Sequence, residues 1–313
     1  MVSLVLLAAA GLLVLAVAAD HLVLGASRVA RRLRLSPVVV GVVVIGLGTS
    51  APEFLVSGLA AARGDAGLAV GNLVGSNVVN VTLILGTAAL MAPVVVHATV
   101  VRREAPLAVG AVTWFALAVW RGLDPVLGVL LGLAGVAALV LLVRQARRES
   151  GPEMPAEVDE FLRDGRRHPL GWEATRTVAG LAGTLAGAEL LVTKAAALAD
   201  RLGAPQVIVG FTLVAIGTSV PELVTAIQAQ RRGESDLLVG NLLGSNLFNA
   251  LFGGAVVGLA GGAGGAGVRW PILGLMVLVA MLAWAVLVRG GRVTRPEAAL
   301  LLAVYVTTLP ALV

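Results

Sequence analysis

Moved along by 169 residues, this sequence lies on itself. "GVVVIGLGTSAPEFLVSGLAAARGDAGLAVGNLVGSNVVN" (41–80) falls without a gap over "GFTLVAIGTSVPELVTAIQAQRRGESDLLVGNLLGSNLFN" (210–249). The same offset sets Asp20 over Glu189, each followed one residue on by Leu-Val. The chain is therefore restricted to folds assembled from two copies of one large unit.

Composition identifies the unit. The 313 residues are 58% hydrophobic and only 13% charged, with a mean hydropathy of +0.96. Soluble domains carry about a quarter charged residues, so this is an all-α polytopic membrane protein. Its apolar runs fall near 3–27, 37–62, 67–92, 104–120, 125–143, 172–200, 206–230, 236–260, 270–288 and 296–312. Most are close to the roughly 20 residues a helix needs to cross the hydrocarbon core. The first, "MVSLVLLAAAGLLVLAVAA", lacks a basic leader and reads as a spanning helix, not a cleaved signal. The expected organisation is one integral membrane domain: a first five-helix repeat at 1–143, a linker loop at 144–171, and a second repeat at 172–313. The loop is too short for a folded domain. Five spans per copy is an odd number, so the second copy enters the membrane from the opposite side. Inverted-topology repeats of this kind place a binding site near the midplane where the halves meet. Cysteine is absent, which excludes disulfides and thiolate chemistry.

The net charge of +5 raises nucleic acid as a partner, but the distribution answers otherwise. Connections assigned alternately to two sides give one side Arg28, Arg31, Arg32, Arg34, Arg102, Arg103, the linker, Arg231, Arg232, Arg289, Arg292 and Arg295. The other side receives Arg63, Arg121, Arg201 and Arg269. The arginine-rich side is expected to be cytoplasmic, leaving both termini outside. The basic excess is a topology signal. The partners expected are the lipid bilayer and small cations, with no nucleic acid, and a monomer is the expected unit. Arginine over lysine, with abundant Ala, Gly and Val, points to the cytoplasmic membrane of a prokaryote.

The duplicated core "GTSAPE" and "GTSVPE" is costly in a membrane. Pro52 has no N–H and displaces the carbonyl of Gly48, while Gly46 and Gly48 loosen the backbone there. The expectation is a broken helix with freed carbonyls, tolerated only against protein or a water-filled cavity. Glu53 falls near the middle of its span, where an ionisable group costs roughly 2.5–3.5 kcal/mol and is by default functional. Thr49 shares its face. In the next span Asn72, Ser76 and Asn80 lie one turn apart on one face, and Gly71 with Gly75 forms a GxxxG contact motif. The second half supplies Thr218, Ser219, Glu222, Asn241, Ser245 and Asn249. Any one of these, met alone, reads as a kink or a helix–helix hydrogen bond; two mid-membrane glutamates on Pro-broken helices at a fixed offset do not. Together they form an all-oxygen cage suited to hard cations such as Ca²⁺ and Na⁺, not zinc or copper.

"GTSAPE…GNLVGSN" and "GTSVPE…GNLLGSN" resemble the two alpha-repeats of the cation/calcium antiporter superfamily, in its sodium/calcium exchanger branch and minimal prokaryotic form. The resemblance covers nearly the whole chain. It implies a transporter, not an enzyme, with no resident cofactor, in which the first and sixth helices slide across a site-bearing core. It implies Glu53 and Glu222 as the main calcium ligands, assisted by Thr49 and Thr218. It also implies Ser50, Ser76, Ser219 and Ser245 at flanking sodium sites, with the backbone carbonyls of Gly46 and Ala215 contributing.

The sequence departs from the family at one position. Several sodium/calcium exchangers carry an aspartate where this chain has Asn249, and here both repeats have asparagine, Asn80 and Asn249. The cage then carries a formal charge of −2, which one Ca²⁺, two Na⁺ or two H⁺ neutralise. A proton/calcium or potassium-involving exchanger using the same site stays open as the alternative. Missing acids in the "GSN" region favour sodium. A channel is disfavoured by the paired broken helices, and an intramembrane protease by the absence of a Ser–His or paired-Asp constellation. Asp20 and Glu189 read as inter-helix anchors near the sliding surface, with Arg28 and Lys194 not far along. His21, His97 and His168 share no pattern. The run "GGAVVGLAGGAGGAG" reads as close packing and an outer loop, lacking the Lys-Ser/Thr of a P-loop.

Overall fold

The computed structural model describes residues 2–33, 41–64, 66–98, 100–148, 169–201, 217–261 and 270–312. Ala215, linker residues 149–168 and the glycine-rich stretch after residue 261 lie outside the described residues. The described residues are mostly helical, forming ten helices in two inverted five-helix halves. The first half is α1 (Val2–Leu33), α2 (Gly41–Thr49 and Ala51–Ala62), α3 (Ala66–Met91), α4 (Val100–Glu104 continuing as Ala105–Trp120) and α5 (Pro125–Arg148). The second is α6 (Leu170–Arg201), α7 (Val220–Arg231), α8 (Ser235–Ala260), α9 (Trp270–Gly290) and α10 (Arg295–Leu312). A short antiparallel ribbon joins β1 (Val94–Val95) to β2 (Arg292–Val293).

Burial sorts the helices. The most apolar windows of α3 and α8 are 83% buried, against 17% for α1, so the motif-bearing helices form the centre and α1 lies at the lipid edge. The expected break in α2 falls at Ser50, just before Pro52, with a bend of 44°. Its first half starts with π-helical turns at Gly41–Gly46. π turns also begin at Asn80 in α3 and at Asn249 in α8, positions related by the repeat. Such bulges concentrate at functional sites.

α1 and α6 pack antiparallel with their backbones in contact. A Cβ added to Gly11 would lie 2.7 Å from the nitrogen of Leu191, one at Gly180 2.5 Å from that of Leu22, and one at Gly187 2.6 Å from that of Leu15. Close backbone approach through small residues is the usual means of binding helices together in lipid. The GxxxG expectation is corrected at Gly71, where an added Cβ would meet nothing within 4 Å; Gly244 of α8, the image of Gly75 under the repeat, does close against Val42 of α2. The start of the glycine-rich run does pack closely, with a Cβ at Gly258 coming within 2.7 Å of the Gly128 Cα.

Several connections touch one another. β1, after α3, pairs with β2, after α9. His97 donates its backbone N–H to Asp236 at the start of α8 (3.0 Å) and its ring contacts the same carboxylate. Gln230 at the end of α7 donates to the Ala92 carbonyl (2.7 Å), and Arg28 pairs with Glu173 (3.0 Å). Among the described residues, these links join several of the arginine-rich ends. They also give His97, unassigned from sequence, a structural role.

Candidate ion-binding site

The break in α2 brings Thr49, Ser50 and Glu53 to the interior, and the corresponding turn before α7 does the same for Thr218, Ser219 and Glu222. Both glutamates are completely buried (0% exposed). Ser76 and Asn80 on α3, and Ser245 and Asn249 on α8, are buried beside them.

The hydrogen bonds cross between the halves. Glu53 Oε1 accepts from Ser76 of its own half (3.5 Å) and from Ser219 of the other (3.3 Å). Glu222 Oε1 accepts from Ser245 of its own half (3.4 Å) and from Ser50 of the other (3.3 Å). Ser245 also reaches the carbonyl of Gly46 (3.2 Å); the expectation that the break frees this carbonyl is corrected, because it still accepts the Ser50 N–H (3.3 Å). The threonines cross too: Thr49 Oγ1 lies 3.4 Å from Asn241 Oδ1, and Thr218 Oγ1 lies 3.3 Å from Asn72 Oδ1. Each of these pairs is the image of the other under the 169-residue offset.

The second oxygen of each carboxylate, Oε2 of Glu53 and of Glu222, is buried without a hydrogen-bond donor among the described residues. A buried carboxylate oxygen lacking a donor is costly, and a cation is the partner that would satisfy it. Two such oxygens, four serine hydroxyls and the Gly46 carbonyl make a hard, anionic oxygen set. Those donors fit Ca²⁺ and Na⁺ as cargo.

The asparagines expected as ligands make no hydrogen bond to either carboxylate among the described residues. Asn80 donates to Asn246 Oδ1 (3.0 Å), while both side-chain polar atoms of Asn249 are buried without partners among the described residues. Asn246 in turn donates to the Asn77 carbonyl (3.1 Å). Asn77 and Asn246, part of the motif but not singled out in the sequence, thus tie α3 to α8. Two supports were hidden for a specific reason. Asn72 donates to Ser57 (3.0 Å), whereas Asn241 donates to Thr225 (3.0 Å), whose image under the repeat is Val56. The same job has shifted by one residue between halves, so matching identical positions cannot find it.

Two inverted five-helix halves clasping a pair of buried carboxylates between broken helices define a membrane ion transporter. The sodium/calcium exchanger protein family matches residues 3–144 and 174–312, and the chain belongs to that family. It is 37% identical over 251 residues to the putative antiporter CaxA of Alkalimonas amylolytica, covering 80% of this chain and 77% of that one. It is 28% identical to the sodium/calcium exchanger MaX1 of Methanosarcina acetivorans, with 80% of each covered. The fold is similar to that of the sodium-calcium exchanger NCX_Mj, solved after soaking with Na⁺ and Sr²⁺. There the TM-score is 0.87 with 28% identity, over 99% of both chains.

Proposed function

We propose that this protein exports Ca²⁺ in exchange for Na⁺ by alternating access. The observation that carries the reading is the reciprocal clasp, in which each glutamate accepts one serine from each half. A site shared in this way exists only while the halves face each other, and the same carboxylates serve whichever cation is bound. Ca²⁺ and Na⁺ then exclude one another, and that competition couples their fluxes. Glu53 and Glu222 take the calcium with Thr49 and Thr218, while Ser50, Ser76, Ser219 and Ser245 line the sodium positions. The Gly46 and Ala215 carbonyls, Asn80 and Asn249 complete the set. Protons compete for the same two carboxylates, so acid inhibits.

The membrane is the cytoplasmic membrane of a prokaryote, with both termini outside, the linker at 144–171 inside, and a monomer as the working unit. Support for this sidedness is the joining of several of the arginine-rich ends to one another.

The test is ⁴⁵Ca²⁺ uptake into proteoliposomes loaded with Na⁺, compared with K⁺ loading and with a pH gradient. Sodium-dependent uptake that disappears in Glu53→Gln and in Glu222→Gln is the expected result. The neutral Asn249, buried without a partner among the described residues, favours as a second reading an exchanger driven by protons or involving potassium. Uptake driven by the pH gradient or requiring K⁺ would select it.

A further inference from the structure

We propose that Asp20–Arg232 and Glu189–Arg63 are two alternating ion-pair latches, one on each side of the membrane, of which only one closes at a time. The inference rests on the alternating-access reading and adds residues that lie outside the cation cage.

Asp20 of α1 is bound to Arg232 at the end of α7. The guanidinium Nε donates over 2.8 Å and Nη2 contacts the same oxygen. Under the repeat, Asp20 becomes Glu189 of α6 and Arg232 becomes Arg63 at the end of α2. The corner itself is duplicated. Arg63 and Arg232 each cap a helix that carries a motif glutamate. Each is followed by a glycine with positive φ, Gly64 at 81° and Gly233 at 72°. Yet the second pair is open: Arg63 and Glu189 are both exposed, and neither side chain has a partner among the described residues. A charged side chain exposed within a spanning helix is costly, and its natural partner exists in sequence but stands elsewhere.

Helix geometry says how far away. α6 meets α2 at the break, where a Cβ on Gly48 would touch Leu181 (2.6 Å). From Gly48 to Arg63 the chain runs about 22 Å along its helix, or about 17 Å along the axis of the first half once the 44° bend is counted, whereas from Leu181 to Glu189 it climbs about 12 Å in the same direction. Glu189 is therefore roughly 5–10 Å short of Arg63. α1 and α6 are joined backbone to backbone through Gly11, Gly180 and Gly187, so they move as one body. A slide of roughly 5–10 Å towards the arginine-poor side brings Glu189 level with Arg63 and draws Asp20 away from Arg232 by the same distance. The two pairs are mutually exclusive. Each holds the sliding helices at one end of their travel.

The chain has no cysteine, so spin-label pairs can be introduced without background. Ala62→Cys with Leu190→Cys reports the outer corner, and His21→Cys with Arg231→Cys the inner one. Both are measured by double electron–electron resonance on the full chain in nanodiscs, in Na⁺ and in Ca²⁺. In Asp20→Asn the 62–190 distance should shorten by roughly 5–10 Å and the 21–231 distance lengthen to match. Glu189→Gln should leave the pair held at the Asp20 end. Exchanging the charges, Asp20→Arg with Arg232→Asp, should restore the wild-type distances, which a merely structural role would not do. A 62–190 distance that stays fixed while the 21–231 distance changes, or an Asp20→Asn protein with wild-type distances, overturns the proposal. Flux on the same proteins separates the two failures. Absence of Na⁺-driven Ca²⁺ uptake in wild type rejects the antiport reading, whereas uptake with a fixed 62–190 distance rejects the latches alone.

Discussion

The Ser50 hydroxyl lies 3.3 Å from Glu222 Oε1, the carboxylate of the opposite half, and Ser219 holds Glu53 at the same distance. A serine three residues from one glutamate thus belongs functionally to the other. Ser50→Ala should weaken apparent cation affinity about 10-fold, the worth of one hydrogen bond to a charged group. Its partner is revealed by a double-mutant cycle. Ser50→Ala combined with Glu222→Asp should show a coupling of about 1 kcal/mol, and combined with Glu53→Asp less than about 0.5 kcal/mol. Apparent Ca²⁺ and Na⁺ constants from uptake assays measure both; equal couplings would contradict the crossed arrangement.

Asn249 offers a second test, because it is buried on α8 with both side-chain polar atoms unpartnered among the described residues. Asn249→Asp adds a third carboxylate to a cage that otherwise has two. The balancing cation count should rise, with the Hill coefficient for Na⁺ increasing by about one. Imposing a membrane potential should then alter Ca²⁺ flux in the variant differently from wild type. Identical Na⁺ dependence and identical response to potential would show that residue 249 does not face the transported ions.

Much of this arrangement is legible in the sequence because the repeat acts as an internal alignment. Identical residues at a fixed offset mark Glu53 with Glu222, Ser76 with Ser245, and Asn80 with Asn249, and the odd span count supplies the inversion. The legible part ends where the halves diverge or where contacts are long-range. Ser57 and Thr225 support Asn72 and Asn241 from positions out of register. The β1–β2 ribbon is two residues a side, too short for a periodicity signal, and joins loops 197 positions apart at the Val95–Arg292 pair. Arg28 lies only eight positions from Asp20 but pairs with Glu173, while the partner of Asp20 is Arg232 on another helix. Proximity along the chain carries no information about such pairs.

Glu234, in the turn between α7 and α8, is only 5% exposed. Burial pushes its carboxyl above the ordinary range, and Asp236 adds to the shift, against a Ser27 hydrogen bond and Arg232. Below the unfolded-state value both states hold the proton and the group contributes no pH dependence. As pH rises towards the higher folded value the unfolded chain releases its proton first, so folding stability falls. Glu234→Gln removes that loss. In detergent melts from about pH 4 to about pH 8, the variant should gain on wild type with increasing pH. A difference that is constant across the range would show that Glu234 does not titrate between the two states.

The last prediction concerns the seam between α1 and α6, on which any sliding of the pair depends. A Cβ at Gly187 would stand 2.6 Å from the backbone nitrogen of Leu15, and one at Gly180 2.5 Å from that of Leu22. Neither obstacle is the flexible end of a side chain, so the helices must separate to admit a methyl group. Gly180→Ala and Gly187→Ala should each destabilise the protein by about 1–3 kcal/mol, the usual cost of overpacking. Gly110→Ala is the matched control. It also lies inside a spanning helix, but an added Cβ there meets nothing within 4 Å, and alanine is the better helix former by up to about 1 kcal/mol. Melting temperatures in one detergent compare the three directly. Loss at 180 and 187 with none at 110 identifies backbone contact as the cause, whereas equal loss at all three would reduce it to a general intolerance of alanine for glycine. If α1 and α6 travel together, the seam variants that still fold should also slow exchange more than they weaken cation affinity, because the clasp around Glu53 and Glu222 is untouched.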